Sequence, residues 1–88
     1  MDHSDNSEDQ LLQRITVNPA IFGGKPLIRG HRLAVEHILD MLTAGDTPAE
    51  ILAAYPWLES DDIRACYAYA NRLVSHERIE TLLVETGA

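Results

Sequence analysis

Phe22-Gly23-Gly24-Lys25-Pro26-Leu27-Ile28-Arg29-Gly30-His31-Arg32 is the stretch on which the fold turns. It holds three of the five glycines and three of the seven Lys/Arg residues, and it contains no acid. Ordering glycine costs conformational entropy and like charges repel, so such a loop needs a structural or a binding reason. Just upstream, Arg14-Ile15-Thr16-Val17-Asn18 alternates with β-branched residues, the signal of a short half-buried strand. Asn18-Pro19 turns the chain, and Gly23-Gly24 can take positive φ. Pro26 offers no ladder donor, so Leu27-Ile28-Arg29 is expected as a short edge strand. A lone hairpin is not stable in water. This one must lie on helices or pair with another chain.

The helices follow. Ala34, Val35, Ile38, Leu39, Met41 and Leu42 recur at helical spacing, with Gly45 as the stop. Thr47-Pro48-Ala49-Glu50 is a capping box with proline at the first helical position, and it predicts a short helix over 48–55 ended by Pro56. Ser60 is expected to cap a third helix over 61–74, with Asp61 and Asp62 in the first turn where the helix dipole favours acids. Ile63, Cys66, Tyr67, Ala70, Leu73 and Val74 form its apolar stripe. The fold class expected is mainly α, a trihelical unit compatible with a helix-turn-helix, preceded by a β-hairpin arm. Residues 1–10 are acidic and aperiodic and are expected to be disordered. The folded unit then spans 11–75, and 76–88 is a helical tail whose stripe falls out of phase.

Charge is segregated. The 88 residues carry a net charge of −7. Residues 1–13 hold four acids and no Lys or Arg; 14–32 hold four such bases and no acid; 33–63 hold seven acids and no Lys or Arg. An acidic chain is a poor general binder of phosphate backbones, so any nucleic-acid site must use a local basic patch. The acidic remainder suits a basic protein partner. No apolar run approaches the length of a membrane span, and the polar acidic start does not read as a signal or transit peptide. One cysteine excludes an internal disulfide framework, consistent with a reduced, cytoplasmic setting.

No catalytic constellation is visible. His3, His31, His37 and His76 form no metal-ligand spacing; His37 and Asp40, three apart, read as a solvated helix face. Cys66 falls on the apolar stripe and reads as a packed thiol. Gly23-Gly24-Lys25 lacks the upstream glycine and the following Ser/Thr of a Walker loop. No enzyme activity and no cofactor or metal are therefore expected. The candidate contacts for nucleic acid or a partner are Arg14, Lys25, Arg29, His31 and Arg32 of the arm, and Arg64 and Arg72 of the third helix. Gly23, Gly24, Gly30 and Trp57 are assigned to the structural loop, Trp57 as a core plug or an interface anchor. The competing reading is that Arg29 and Arg32 pair internally with Glu36, Asp40 or the acids of 46–62. Groove reading by the third helix is opposed by Glu59, Asp61 and Asp62 at its start.

Taken together, Arg14-Ile15-Thr16, Asn18-Pro19, Gly23 to Gly30, Arg32, Val35, Ile38-Leu39, Gly45, Glu50-Ile51-Leu52, Tyr55-Pro56 and Leu58 resemble the bacterial family of domain of unknown function 433. Phe22, His31 and Ala34 depart from residues common in that family. The resemblance implies a homeodomain-like or winged-helix-like domain. It further implies the antitoxin half of a VapBC-like toxin–antitoxin pair, whose partner is a PIN-like ribonuclease and which represses its own operon by binding operator DNA. A homodimer is expected. The alternatives are a helix-turn-helix transcriptional regulator without a toxin and a homodimeric protein-interaction domain.

Overall fold

Phe22 and Gly23 have φ of 49° and 64°, and Arg29 and Gly30 have φ of 47° and 77°. These two left-handed pairs shape the basic stretch, and the rest of the fold is built on the strand between them. The computed structural model describes residues 3–76. In chain order it has α1 (His3–Leu12), β1 (Ile15–Val17), a single 3-10 turn (Phe22–Gly24), β2 (Pro26–Ile28), α2 (Val35–Thr43), α3 (Pro48–Ala54) and α4 (Ser60–His76). The described chain is thus mainly helical, with four helices and one two-stranded antiparallel hairpin. The tail expected beyond His76 lies outside the described residues.

The hairpin pairs Ile15 with Ile28, Thr16 with Leu27 and Val17 with Pro26. Pro26 stands first in its strand, where a missing N–H costs least. β2 is not a bare edge, because the chain returns past it. The His31 N–H donates to the Ile28 carbonyl at 2.8 Å around the Arg29–Gly30 turn, and the Ile28 N–H donates to the Leu33 carbonyl at 3.0 Å. Leu27 and Ala34 then form an isolated antiparallel bridge. Consecutive positive φ at the two central residues is the geometry of a type I′ turn, which matches strand twist. Leu27 and Ile28 are fully buried, so the hairpin lies on the helices.

Each helix start and stop has a local cause. Gly45 takes φ of 109°, its N–H donates to Leu42, and the Asp46 N–H reaches the Met41 carbonyl, a Schellman ending for α2. His37 Nδ1 accepts the Ala34 N–H at 3.0 Å at the start of that helix. The capping box forms at α3: the Glu50 N–H donates to Thr47 Oγ1 at 3.2 Å and the Thr47 N–H to Glu50 Oε1 at 2.8 Å. At α4 the expectation is corrected. Ser60 is already the first helical residue, and the Glu59 N–H donates to Asp62 Oδ2 at 2.8 Å instead.

Ile28, Leu33, Val35, Ile38, Ile51, Leu58, Ile63 and Cys66 form the buried cluster, flanked by Ile15, Leu39, Leu52, Tyr55, Trp57 and Tyr69. α4 therefore faces the core with Asp62, Ile63, Ala65 and Cys66. Tyr67, Leu73 and Val74, placed on the apolar stripe by spacing, are about half exposed. α4 is seventeen residues long against nine for α2 and seven for α3. Burial pushes the Cys66 thiol up to about 12, with the Asp62 charge adding to it. A thiol-reactive dye at pH ~8 is expected to label native Cys66 no faster than the chain opens, and to label it at once in denaturant. Rapid native labelling would contradict that packing.

Residues 3–10, part of the stretch expected to be disordered, are instead helical, since α1 runs from His3 to Leu12 and packs on α4. Its weak apolar pattern hid the anchors. These are Leu11, which lines the seam between the two helices, and the reach of Arg72 to Glu8 and Asp9 at 3.2 and 3.6 Å.

Candidate functional site

At the start of α4 the arm meets its target. Asp62 is the one buried charged residue among the described residues, with no solvent exposure. Arg29 holds it with two parallel bonds, Nε to Oδ1 at 2.9 Å and Nη2 to Oδ2 at 2.8 Å. Arg14 Nη1 adds a third at 2.9 Å to Oδ1 and reaches Glu59 Oε1 at 2.8 Å. With the Glu59 N–H, the carboxylate accepts four hydrogen bonds. Burial alone would raise its pKa. The bonds from Arg29, the Glu59 N–H and Arg14 outweigh burial and hold it below the usual carboxylate range. Arg14 is raised by its bonds to Glu59 and then Asp62, and Arg29 by its bonds to Asp62.

The arm is positioned for this by its backbone. The Arg29 N–H donates to the Arg14 carbonyl at 2.8 Å, so the two guanidiniums start from paired ends of the hairpin. The Gly30 N–H donates to Thr16 Oγ1 at 2.9 Å. A left-handed arginine is strained by a kcal/mol or so, on the order of ~1–3 kcal/mol at most, which the salt-bridged side chain offsets. Arg29 Nη2 also donates to the Trp57 carbonyl at 3.0 Å, and its guanidinium carbon stands 5.7 Å from the Trp57 ring centroid. His31 stacks flat on Trp57, with centroids 3.7 Å apart and planes 6° from parallel. Strand ends, the α3–α4 turn and the α4 N-terminus are thereby tied at one point.

The structure separates the candidate residues. Arg14 and Arg29 converge on Asp62. Lys25 pairs with Glu36 at 3.0 Å, Arg64 with Asp61 at 3.2 Å, and Arg72 with Glu8. Arg32 is exposed and makes no ion pair among the described residues, and it is not brought to the Asp62 cluster. Gly23, Gly24 and Gly30 all carry positive φ, as geometry requires. Trp57 is half-buried and packs against the edge of the buried cluster. The competing reading, internal pairing with the acids of 46–62, is what Arg29 does through Asp62, though not Arg32; the part Arg14 takes in holding Asp62 and Glu59 was not expected. One signal was present: Asp62 is four residues before Cys66 and so falls on the buried phase of α4.

This geometry holds a carboxylate ionised and a loop rigid. Among the described residues, no group of three or more His, Cys, Asp or Glu is placed to hold a metal. No helix among them is long and apolar enough to cross a membrane.

A small helical domain with its β-hairpin riveted to a helix start is the class these features define. Residues 15–70 match the family described as protein of unknown function (DUF433), and the chain belongs to that family. It is 36% identical over 67 residues to the uncharacterized protein y4eO of Sinorhizobium fredii (strain NBRC 101917 / NGR234), covering 74% of this chain. The chain spans 30% of that relative's length. The 2.00 Å crystal structure of a DUF433 member from Anabaena variabilis ATCC 29413 superposes with a TM-score of 0.66 at 30% identity, covering 81% of this chain and 70% of that one.

Proposed function

We propose that this chain acts by binding a basic protein, as the antitoxin-like partner of a PIN-like ribonuclease. One observation carries the reading. From Leu33 to Ile63 the only formal side-chain charges are acids, and Glu36, Asp40, Asp46 and Glu50 are exposed along α2, the turn after it and α3. The arm's cations leave that surface acidic, because Arg14 and Arg29 are turned inward, Lys25 covers Glu36 alone, and the exposed Arg32 pairs with no acid among the described residues. A ribonuclease needs a cationic track for its substrate's phosphates. An acidic face on a rigid domain is complementary to such a track and would compete with RNA for it. The resemblance to the family of domain of unknown function 433, read as the antitoxin half of VapBC-like pairs, suggests the partner's class.

We read α2, α3 and α4 as a homeodomain-like arrangement, and the likeness also implies repression of the pair's own operon. Co-expression with the ribonuclease encoded beside the gene tests the reading. The expected result is relief of growth arrest and co-elution of the two chains. Unrelieved arrest with separate elution would overturn it.

A further inference from the structure

We infer that the apolar groove between α2 and the far end of α4 is the seat of this chain's own C-terminal segment, residues 79–83. Pro26, Val35, Leu39, Tyr69, Ala70 and Leu73 line the groove, which encloses about 250 Å³. Glu36 also borders it, but that carboxylate is turned to Lys25 Nζ, at 3.0 and 3.1 Å. Small-molecule pockets start at about 300 Å³ and carry converging polar groups; this groove is smaller and its one charge is already paired. An apolar space of ~150 Å³ takes a guest the size of benzene, so this one has room for about two aliphatic side chains. Leu73, on its wall, is still 49% exposed.

The course of the chain and its residues name the occupant. Leu73 lies less than one turn before His76, where α4 reaches the limit of the described residues, so the chain passes on from beside the groove. Ile79, Leu82 and Leu83 follow at helical spacing, the nearest apolar cluster along the chain. They are out of phase with α4. At ~3.6 residues per turn, an unbroken helix would carry them on the side away from Ala70 and Leu73, leaving both cluster and groove in water. A reversal at Glu77-Arg78 sets them over the groove instead, and a loop of about two to five residues is enough to join antiparallel helices. The lengths agree: as helix, 79–83 spans about 6 Å, the same as the step from Tyr69 to Leu73. Removing both apolar faces from water drives the seating, with no polar contact required. Glu36 belongs also to the acidic face of α2, so the seated segment borders the surface proposed to meet a partner. The seating itself does not depend on that partner being a ribonuclease.

Hydrogen exchange and spin labelling of the full chain test the inference. The amides of 79–83 are expected to exchange about tenfold or more below the unstructured rate, the value for a seat filled about nine-tenths of the time. Leu82→Ser with Leu83→Ser removes two guests, and Leu73→Asp charges the wall. Each should abolish the protection while buried Cys66 stays unreactive, which reports an intact core. A nitroxide at Thr81→Cys falls on the far side of the Ile79, Leu82 and Leu83 stripe and so leaves the seating free. It should broaden the amides of Leu39, Ala70 and Leu73 in a chain that carries both nitroxide and isotope label, and dilution into unlabelled chain should not change this. Broadening only between a nitroxide-carrying copy and an isotope-labelled copy would place a second copy in the groove and overturn the inference. Unprotected amides at 79–83, protection that survives either set of substitutions, or no broadening at all would overturn it equally.

Discussion

Asp62→Ala is expected to lower the unfolding free energy by about 3 kcal/mol, the low end for stranding a buried charge pair. The low end applies because Arg14 and Arg29 keep 27% and 32% of their side chains in water, while Asp62 keeps none. The loss is threefold. Two guanidiniums lose their common acceptor, the Glu59 N–H loses its cap, and a space opens beneath the hairpin. For a chain of this size the melting temperature should fall on the order of 10–20 °C, read by circular dichroism. The pH dependence follows from the same carboxylate. Its folded pKa lies below its unfolded value, so its stabilisation is fully present above about pH 4 and is lost as pH falls through the folded value. The stability difference between the unaltered chain and Asp62→Asn should therefore shrink progressively below about pH 4. A difference that stays constant down to acid unfolding would show that the Asp62 charge does not hold the arm.

Arg29→Ala and Arg32→Ala, three residues apart in one basic loop, are expected to behave oppositely. Arg29 makes two bonds to Asp62 and one to the Trp57 carbonyl, so its loss leaves a buried carboxylate to Arg14 and the Glu59 N–H. A cost of about 2–4 kcal/mol is expected, with faster exchange of the β2 amides. Relief of the left-handed backbone strain offsets little, since alanine meets the same penalty at φ of 47°. Arg32 is exposed and makes no ion pair among the described residues, and its truncation should stay within about 0.5 kcal/mol. Chemical denaturation of the two variants beside the unaltered chain decides it. Equal costs would mean that the loop is stabilised by its backbone alone.

What could be read from the sequence was what depends on neighbours along the chain. Gly45, the Thr47–Glu50 box and the β-branched run at Ile15–Val17 act within a few residues, and each produced the expected element. The Gly-Gly and Arg-Gly steps were legible as conformational demands for the same reason. Of the clamp only half was legible: an acid of 46–62 could be named as a partner for Arg29, but not which one, nor that Arg14 shares it, because the two arginines reach across 33 and 48 residues to Asp62. An acid near a helix start is adequately explained by the dipole, and that explanation concealed a buried acceptor. α1 was missed because Glu8, Asp9 and Leu11 find their partners on α4, while spacing within 1–10 shows little amphipathicity. Tyr67, Leu73 and Val74 carried the right period, but the body beside α4 is too short to cover that whole stripe.

The basic loop of residues 22–32 thus has a structural part. Its glycines and Arg29 fix the hairpin on α4, and the exposed acids of α2 and α3 are left as the surface proposed to meet a partner. Titration calorimetry of the ribonuclease against the unaltered chain and against Asp40→Lys with Asp46→Lys tests that division most directly. Both residues are exposed and make no hydrogen bond or ion pair through their side chains among the described residues, so the fold should persist. The account predicts affinity weakened by about 30-fold or more, with a shallower salt dependence. Unchanged affinity in the charge-reversed chain would contradict it.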